Sequence, residues 1–347
     1  MTRTAVDLFC GSGGVTLGLK AKQWKVLAAV DFDPIAAATY RENHPEVEFV
    51  EADIREKDTI RRLKRAIGGE TVDLLVICAP CQPFSSQNRK RGSDPREQLL
   101  IHSLAAVKII KPKLIFFENV PGLVGPSYRA VVEELRNGLN VLGYAVTDPL
   151  LKDAAAYGVP QRRKRCIMVA ARGAAALERF LSTNLTCAQK TVADAIGKLP
   201  ALGNGQADPK DKLHRARSHS EIALRRLAAI PKNGGSRKSL PPELELACHR
   251  GQSGFPDVYG RMKWEAVAPT LTTGCTDITR GRFAHPFYDR AITLREAARL
   301  QTFPDNYVFF GNSSQISTQI GNAVPPDMIS TLTKAFETAL STTQHGS

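Results

Sequence analysis

The 347-residue sequence lacks the features of membrane-spanning and secreted proteins. No stretch approaches the roughly 18 uninterrupted apolar residues that a transmembrane helix needs. The N-terminal residues MTRTAVDLFCGSGG lack the long apolar core of a secretory signal peptide. Seven cysteines, an odd number in a chain without such a signal, predict reduced thiols and no disulfide framework. These absences predict a cytoplasmic protein that makes no membrane contact.

Internal repeats and low-complexity segments are also absent, and the content of apolar and charged residues is ordinary for a globular chain. The length predicts about two domains. The net charge of +13 is unevenly placed, because residues 173–282 alone carry +7. A polyanionic partner such as nucleic acid explains this excess, since Lys and Arg that neutralise phosphates release counterions. The alternative is a charge that only keeps the protein soluble.

The first half of the chain alternates short apolar runs with helical patterns, which is typical of a doubly wound α/β sheet. The predicted strands are Thr4–Phe9, Val26–Val30, Val47–Val50, Asp73–Cys78, Leu114–Glu118, Tyr144–Asp148 and Arg165–Ala170. The predicted helices are Val15–Ala21, Ile35–Asn43, Thr59–Ile67, Gln98–Ile110 and Arg129–Leu142. Runs such as Leu74–Ile77 suit strands that are covered on both faces, as in a parallel sheet.

The amino-acid composition changes after Arg172, where Pro, Gly, Ser and basic residues become frequent. Only Glu221–Ala229 shows a clear helical pattern between residues 200 and 260, which predicts a second, loop-rich domain. Further helices are predicted at Leu294–Leu300 and at Pro326–Leu340, where an apolar stripe favours docking on the first domain. We therefore expect a first domain at residues 1–172, a smaller domain at 173–287 and a return to the first domain at 288–347.

A glycine-rich loop, Gly11-Ser12-Gly13-Gly14, joins the first strand to the first helix. Glycine permits a tight turn and lets a ligand approach the backbone. The dinucleotide fingerprint fails because Thr16 occupies its third glycine position, and no Walker lysine follows. Asp31 with Phe32 and Asp53 end the next two strands, where carboxylates can bind ribose hydroxyls and an aromatic ring can stack on adenine. The pattern predicts a nucleoside cofactor, and the alternative is a structural turn with solvated acids.

Cys81 follows the fourth strand, where the carboxyl ends of parallel strands meet the ligand crevice. Cys78 and Cys81 also form a C-x-x-C pattern, but zinc would need a second close pair of ligands, which the sequence does not offer. A redox dithiol and an inert buried thiol remain as alternatives to a nucleophile.

Glu118 closes the apolar run Leu114–Phe117 and should be partly desolvated, which favours the neutral, proton-donating form of a carboxyl group. Alternation in an extended chain places Gln161, Arg163 and Arg165 on one face, where arginines can hold a base carbonyl or a phosphate. The alternative for this tract is a solvated basic run.

Seven segments in order along the chain resemble the DNA cytosine-5-methyltransferase family. They are DLFCGSGG, the acid after the second strand, Pro80-Cys81-Gln82, Glu118-Asn119-Val120, Gln161-x-Arg163-x-Arg165, Arg299–Pro304 and Gln319–Pro325. The resemblance implies a Rossmann-like methyltransferase sheet with a smaller target-recognition domain at residues 173–287. It also implies methyl transfer from S-adenosylmethionine to carbon 5 of a flipped cytosine.

In that family a cysteine thiolate adds to carbon 6 and makes carbon 5 nucleophilic, a part that the resemblance assigns to Cys81. Glu118 would hydrogen-bond or protonate N3, and Arg163 and Arg165 would hold the base carbonyl. The implied cofactor contacts are Phe9, Gly11, Gly13, Gly14, Asp31, Phe32, Asp53, Pro80 and Asn322. The expected DNA contacts are Gln82, Ser85, Arg89, Arg91, Gln161, Thr272, Arg280 and Arg282.

The basic segment Gln87–Arg96 is expected to be a mobile loop that closes over DNA. Double-stranded DNA is the expected partner, with no metal ion, and the compact chain is expected to be a monomeric, nucleoid-associated prokaryotic modification enzyme. An RNA cytosine-5-methyltransferase and a catalytically inactive DNA-binding relative are the main alternatives. The first usually has a Cys-Phe-Thr signature that this sequence lacks, and the second should have lost the cysteine or the glycine loop.

Overall fold

A computed structural model describes residues 2–80, 98–185, 187–246, 248 and 257–341. Its strands are β1 (Thr4–Leu8), β2 (Lys25–Asp31), β3 (Glu48–Glu51), β4 (Leu74–Ile77), β5 (Leu114–Asn119), β6 (Ala145–Val146), β7 (Leu150–Asp153) and β8 (Lys164–Ala171). Its α-helices are α1 (Gly14–Lys20), α2 (Pro34–Asn43), α3 (Lys57–Ile67), α4 (Leu99–Ile110), α5 (Arg129–Val141), α6 (Ala174–Ser182), α7 (Val192–Ile196), α8 (Glu221–Ala229), α9 (Leu294–Leu300), α10 (Ser313–Asn322) and α11 (Pro326–Leu340).

The strands form one sheet in the order β3-β2-β1-β4-β5-β8-β6, and β7 also pairs with β8. The five strands from β3 to β5 run parallel, which confirms the predicted doubly wound α/β sheet. β8 is antiparallel to β5, to β6 and to β7. The sheet is therefore mixed at this end, because β8 returns against β5 instead of arriving through a parallel crossover.

Helices cover both faces of the sheet. Along β5, Ile115 and Phe117 belong to the core beneath α3, α4 and α5, while Phe116 points to the opposite face, as strand alternation requires. On that face the Phe116 and Phe336 rings lie 5.3 Å apart, and Phe336 belongs to α11. The C-terminal helix therefore packs on the sheet through the apolar stripe seen in the sequence.

Most predicted elements are confirmed to within two residues, and α8, α9 and α11 have the predicted bounds. Four elements were not predicted: β7, α6, α7 and α10. The short strand β7 has a mostly exposed middle, so its sequence shows no clear apolar alternation. The helix α10 consists largely of Ser, Thr, Gln, Gly and Asn, which have weak helix propensity.

The chain divides into two compact units. The first comprises Met1–Tyr157, Lys164–Cys187 and Val324–Ser347, and the second comprises Gly158–Arg163 and Ala188–Ala323. The return to the first unit thus begins at Val324, whereas the sequence analysis placed it at residue 288. The difference arises because α9 packs against α7 and α10 within the second unit.

The second unit has few regular elements, and buried arginines bind its backbone carbonyl groups. Arg261 is fully buried and donates to the carbonyl oxygens of Leu227, Ile230 and His285, among others. Arg290 forms a buried two-bond ion pair with Glu296, both at 2.8 Å. In a loop-rich unit these guanidinium groups satisfy carbonyl oxygens that a sheet would otherwise pair.

The core of the first unit contains one fully buried carboxyl group, that of Asp7 in β1. The Thr16 hydroxyl donates to Asp7 Oδ2 at 3.0 Å, and Oδ1 has no hydrogen-bond partner in the described part of the chain. Burial, reinforced by the charge of Asp31, raises the Asp7 pKa to about 7 in spite of the Thr16 bond. Protonation of Asp7 therefore favours the folded state.

Replacing Gly18 tests the close contact between α1 and α11. A Cβ atom at Gly18 would lie 2.5 Å from the Pro326 carbonyl oxygen and 2.8 Å from Ile329 Cβ. We expect Gly18→Ala to lower the free energy of unfolding by about 1–3 kcal/mol, because backbone atoms must move apart. Urea unfolding measures the loss. Gly173→Ala is the matched control, since no atom of the described residues lies within 4 Å of its added Cβ. Equal losses in the two variants would contradict the close packing.

Replacing Asp7 tests its raised pKa. Because the folded-state pKa lies near 7 and the ordinary value is 3.8, the contribution of Asp7 to stability is complete below pH 3.8 and is lost as the pH rises through 7. We expect Asp7→Asn to be more stable than the wild type at pH 8.5, by up to roughly 4 kcal/mol, and the advantage to shrink toward pH 5. Urea unfolding at several pH values measures this. The exposed Asp148→Asn is the control, and a pH-independent effect of Asp7→Asn would refute the assignment.

Candidate active site

The sheet order places a crevice at the carboxyl ends of β1 and β4. These strands are neighbours, with Leu8 beside Ile77, but the chain leaves them toward opposite sides of the sheet: β2 and β3 lie beyond β1, and β5 lies beyond β4. Ligands of doubly wound sheets bind at such a point of reversal. The glycine loop follows β1, and the residues Cys78-Ala79-Pro80 follow β4. Both predicted motifs therefore begin at the same edge.

The glycine loop is held in a left-handed, tightly turned conformation. Phe9, Gly11 and Gly13 have φ values of 60°, 52° and 90°. The Cys10 amide donates to the Val30 carbonyl at 3.1 Å, and the Gly13 amide donates to the Cys10 carbonyl at 2.9 Å. Among the described residues, no heavy atom lies within 4 Å of a Cβ built on Gly11, so they leave this side of the loop open to a ligand. Gly14 begins α1.

Asp31 is bound to the same loop from the end of β2. Its Oδ2 accepts the Gly11 amide proton at 2.8 Å, and its Oδ1 accepts from the Asp33 amide at 3.0 Å. Burial raises the Asp31 pKa, while these backbone donors oppose the rise. A carboxylate has about four acceptor sites, so these backbone donors leave room for a ligand hydroxyl. The carboxylate is therefore oriented in advance.

Two further predicted cofactor residues, Phe32 and Asp53, lie at this edge. They differ in whether their side chains already contact another residue. The Phe32 side chain is 61% exposed, so its ring is free to stack on a flat ligand. Asp53 is paired with Arg55, at 3.0 Å from Nε, and this contact lowers the Asp53 pKa. Asp53 thus already has a cationic partner.

Glu118 forms a buried ion pair with Arg165. The strands β5 and β8 are antiparallel, with Glu118 opposite Ile167, and Arg165 Nε lies 2.8 Å from Glu118 Oε1. The side chains are 4% and 9% exposed. The two atoms are close enough for an ion pair, but their geometry does not meet the angles of a hydrogen bond. Neither atom has a hydrogen-bond partner elsewhere in the described chain. Glu118 therefore has a positive neighbour as well as the burial that its sequence predicts, and both groups keep hydrogen-bonding capacity.

Asn119 connects this pair to the segment that precedes Cys81. Its Nδ2 donates to the Ala79 carbonyl at 3.2 Å, and both residues are buried. Asn119 is part of the motif Glu118-Asn119-Val120, in which the sequence predicted a role only for Glu118. Pro80 is half-buried and is the last described residue before residue 98. Cys81, Gln82, Ser85, Arg89, Arg91 and the segment Gln87–Arg96 lie outside the described residues.

Gln161 and Arg163 form hydrogen bonds with other residues of the second unit. Arg163 is 2% exposed and donates to the carbonyl oxygens of Leu271 at 3.1 Å and Gly321 at 3.0 Å. Gln161 is fully buried, donates to Gln301 Oε1 and accepts from the Leu271 amide at 2.9 Å. The predicted alternation holds, but these side chains bind protein backbone and amide groups. The DNA contact of Gln161 and the base contact of Arg163 stay predictions.

The other predicted residues of the second unit differ in accessibility. Arg280 is exposed, and its Cδ would lie 2.2 Å from a Cβ at Gly274, so its side chain crosses that glycine. Arg282 instead donates to the carbonyl oxygens of Gly234, Gly235 and Arg261. Thr272 is partly exposed in a turn whose Cys275 amide donates to the Thr272 carbonyl. Asn322, the last residue of α10, is exposed.

Metal-binding clusters and membrane-spanning helices are both absent from the described ranges. Residues 2–80, 98–185, 187–246, 248 and 257–341 contain no group of three or more His, Cys, Asp or Glu side chains able to hold a metal ion. Within the same residues, no helix has both the length and the apolar character needed to cross a bilayer.

Comparison with known proteins agrees with this arrangement. A family model described as C-5 cytosine-specific DNA methylase matches residues 3–338. The chain is 38% identical to the Type II methylase M.HgiDII of Herpetosiphon aurantiacus, over 94% of this chain and 92% of that protein. It is 33% identical to the Type II methyltransferase M.XorII of Xanthomonas oryzae, over 94% and 82%.

The fold is shared with solved structures of lower sequence identity. The Entamoeba histolytica methyltransferase EhMeth superposes with a TM-score of 0.65 at 17% identity, over 97% of this chain and 98% of that one. The family match covers nearly the whole chain, including both compact units. The chain therefore belongs to the C-5 cytosine-specific DNA methylase family and is a DNA (cytosine-5)-methyltransferase.

Proposed function

We propose that this methyltransferase transfers a methyl group from S-adenosylmethionine to carbon 5 of a cytosine flipped out of duplex DNA, through a transient bond between Cys81 and carbon 6. The observation that carries the proposal is the buried Glu118–Arg165 pair. Glu118 lies at the end of β5, directly beside β4, and Arg165 lies at the start of β8. Asn119 binds the segment that leads into Cys81. An acid and a guanidinium at this position suit a cytosine, which offers a ring nitrogen and a carbonyl oxygen on one edge.

The residues around the glycine loop fit S-adenosylmethionine. The open side of Gly11 lets the methionine portion approach the backbone between Phe9 and Gly14. The oriented Asp31 carboxylate accepts the ribose hydroxyl protons, and the exposed Phe32 ring stacks on adenine. Asp53 and Pro80 flank the adenine side, and Asn322 is the further cofactor contact that the family resemblance implies. When bound, the donor supplies a methyl group on a positively charged sulfur.

Cys81 activates the base because carbon 5 of cytosine is too weak a nucleophile by itself. The Cys81 thiolate forms a bond to carbon 6, and the ring electrons move toward N3 and carbon 5. Glu118 supplies the proton that N3 gains, and Arg165 donates hydrogen bonds to the base carbonyl oxygen, where negative charge develops. After carbon 5 has gained the methyl group, a base removes the carbon 5 proton and the bond between Cys81 and carbon 6 breaks. N3 returns its proton to Glu118, and Cys81 leaves as the thiolate.

The reaction requires a flipped base, because sulfur attacks the ring through a face that is covered in stacked DNA. Extrusion costs a few kcal/mol, and contacts on the base edge help to offset it. Glu118 and Arg165 are suited to this role since their unaligned atoms retain hydrogen-bonding capacity. The second unit, residues 158–163 and 188–323, acts as the target-recognition domain, with Arg280 and Thr272 facing DNA. Gln82, Ser85, Arg89 and Arg91 contact DNA near the target base.

The relatives of this chain indicate its biological setting. The curated relatives are Type II methyltransferases, which supports a modification enzyme that accompanies a restriction system. The net charge of +13 suits an enzyme that acts on duplex DNA. We expect it to act as a monomer in a bacterial cytoplasm.

The covalent step is tested with a duplex in which 5-fluorocytosine replaces the target cytosine. Fluorine on carbon 5 cannot leave as a proton does, so the bond between Cys81 and carbon 6 should persist after methyl transfer. We expect an adduct at Cys81 in the intact-protein mass spectrum, only in the presence of S-adenosylmethionine. Cys81→Ser should give no adduct and no turnover while it still binds the unmodified duplex. A wild-type enzyme active on ordinary DNA that yields no adduct would exclude the covalent route.

The DNA-facing role of Arg280 is tested against Arg282, its neighbour in sequence. We expect Arg280→Ala to weaken DNA binding by about five- to tenfold and to reduce the salt dependence by about one charge, with little change in the unfolding temperature. Arg282→Ala should instead lower the unfolding temperature, because three carbonyl groups lose their donor. Fluorescence anisotropy at several salt concentrations and thermal unfolding separate the two. Unchanged DNA binding by Arg280→Ala would remove that residue from the interface.

A further inference from the structure

His44, which the sequence analysis did not single out, lies behind the glycine loop. It follows the last residue of α2, and its side chain is 1% exposed. Its Nδ1 lies 3.1 Å from Lys20 Nζ, and Lys20 also pairs with Glu46 at 2.5 Å. A lysine ammonium group can only donate, so Nδ1 is the acceptor and the imidazole proton resides on Nε2.

The imidazole also hydrogen-bonds to the backbone of Gly13. The Gly13 amide already donates to the Cys10 carbonyl, which leaves the Gly13 carbonyl oxygen to accept from His44 Nε2. That oxygen also accepts from the Leu17 amide, and a carbonyl has two lone pairs for the two donors. Gly13 has φ 90° and is the residue at which the loop turns into α1. His44 therefore binds the loop at its turning point.

Two further features keep the His44 side chain in one protonation state and one position. Burial and the nearby Lys20 charge lower the His44 pKa to about 4, so the imidazole is neutral near pH 7 and keeps one donor and one acceptor. The Tyr40 ring lies 4.8 Å from the His44 ring, and the Tyr40 hydroxyl is 2.7 Å from Thr16 Oγ1 in α1. The helix α2 thus contacts both the loop and the helix that follows it.

We propose that His44 is a positioning residue for the methyl donor, which it affects by holding the Gly13 carbonyl and so the left-handed turn of the glycine loop. The inference rests on the proposed binding of S-adenosylmethionine by residues 9–14. Asp31 fixes one end of the turn at the Gly11 amide, and His44 fixes the other end at Gly13. The loop also contains Phe9, a non-glycine residue whose left-handed φ persists only where neighbouring contacts compensate for the strain.

The experiment compares two isosteric variants of the full-length enzyme. His44→Asn keeps an acceptor near the Nδ1 position for Lys20 but loses the donor to Gly13. His44→Gln reaches the Nε2 position and keeps that donor. We expect His44→Asn to raise the KM for S-adenosylmethionine about tenfold, since one hydrogen bond is lost, with less than a twofold change in kcat at saturating donor. His44→Gln should restore most of the affinity.

The outcomes separate this inference from the function on which it rests. Circular dichroism and DNA affinity establish that both variants are folded. An equal rise of KM in both variants, no rise in either, or a loss confined to kcat would overturn the positioning role. Titration calorimetry of wild type and Asp31→Ala with S-adenosylmethionine tests the loop itself. If Asp31→Ala binds the donor as tightly as wild type does, the proposed donor site is refuted whatever the His44 variants show.

Discussion

The candidate active site depends on one buried ion pair, between Glu118 and Arg165. Charges with less than a tenth of their surface exposed are stable only when each has the other, because removal of one partner leaves an uncompensated charge in a poorly solvated place. The antiparallel return of β8 against β5 brings the two side chains together. A sheet that remained parallel would place the start of that strand at its opposite edge. The reversal is thus the topological feature that supplies a cation to the carboxyl ends of the parallel strands.

The arginines of this enzyme serve two physical purposes that look alike in the sequence. Arg165 faces a carboxylate, whereas Arg163, two residues earlier, donates to two backbone carbonyl groups. Arg261 and Arg290 do the same elsewhere in the second unit. A planar guanidinium with five donors can satisfy several carbonyl oxygens at once. Part of the positive charge that suggested a polyanionic partner therefore stabilises a domain with little regular structure.

The glycine loop shows how a strained segment is maintained by its surroundings. Phe9 adopts a left-handed φ, which is unfavourable for a residue with a side chain, and two glycines follow with the same sign of φ. Strain of this kind persists where neighbouring structure compensates for it. Asp31, the Val30 carbonyl and His44 provide those contacts, and all belong to β2 or to the end of α2. The shape of the loop is thus a property of the neighbouring strand and helix as much as of its own glycines.

The sequence by itself determined every strand except β7, the parallel character of the first five strands and the positions of the site motifs, because apolar runs and glycine turns are local signals. Continuous runs such as Leu74–Ile77 are buried on both faces, and the apolar stripe of α11 fixed its bounds in advance. Only the tertiary structure decided which basic residues are buried. Arg163 and Arg165 are of the same type and lie two residues apart, but Arg163 donates to carbonyl oxygens and Arg165 faces a carboxylate. The helix α10 and the contact of His44 with Gly13 likewise escaped prediction, since partners distant in sequence, and not local propensity, stabilise them.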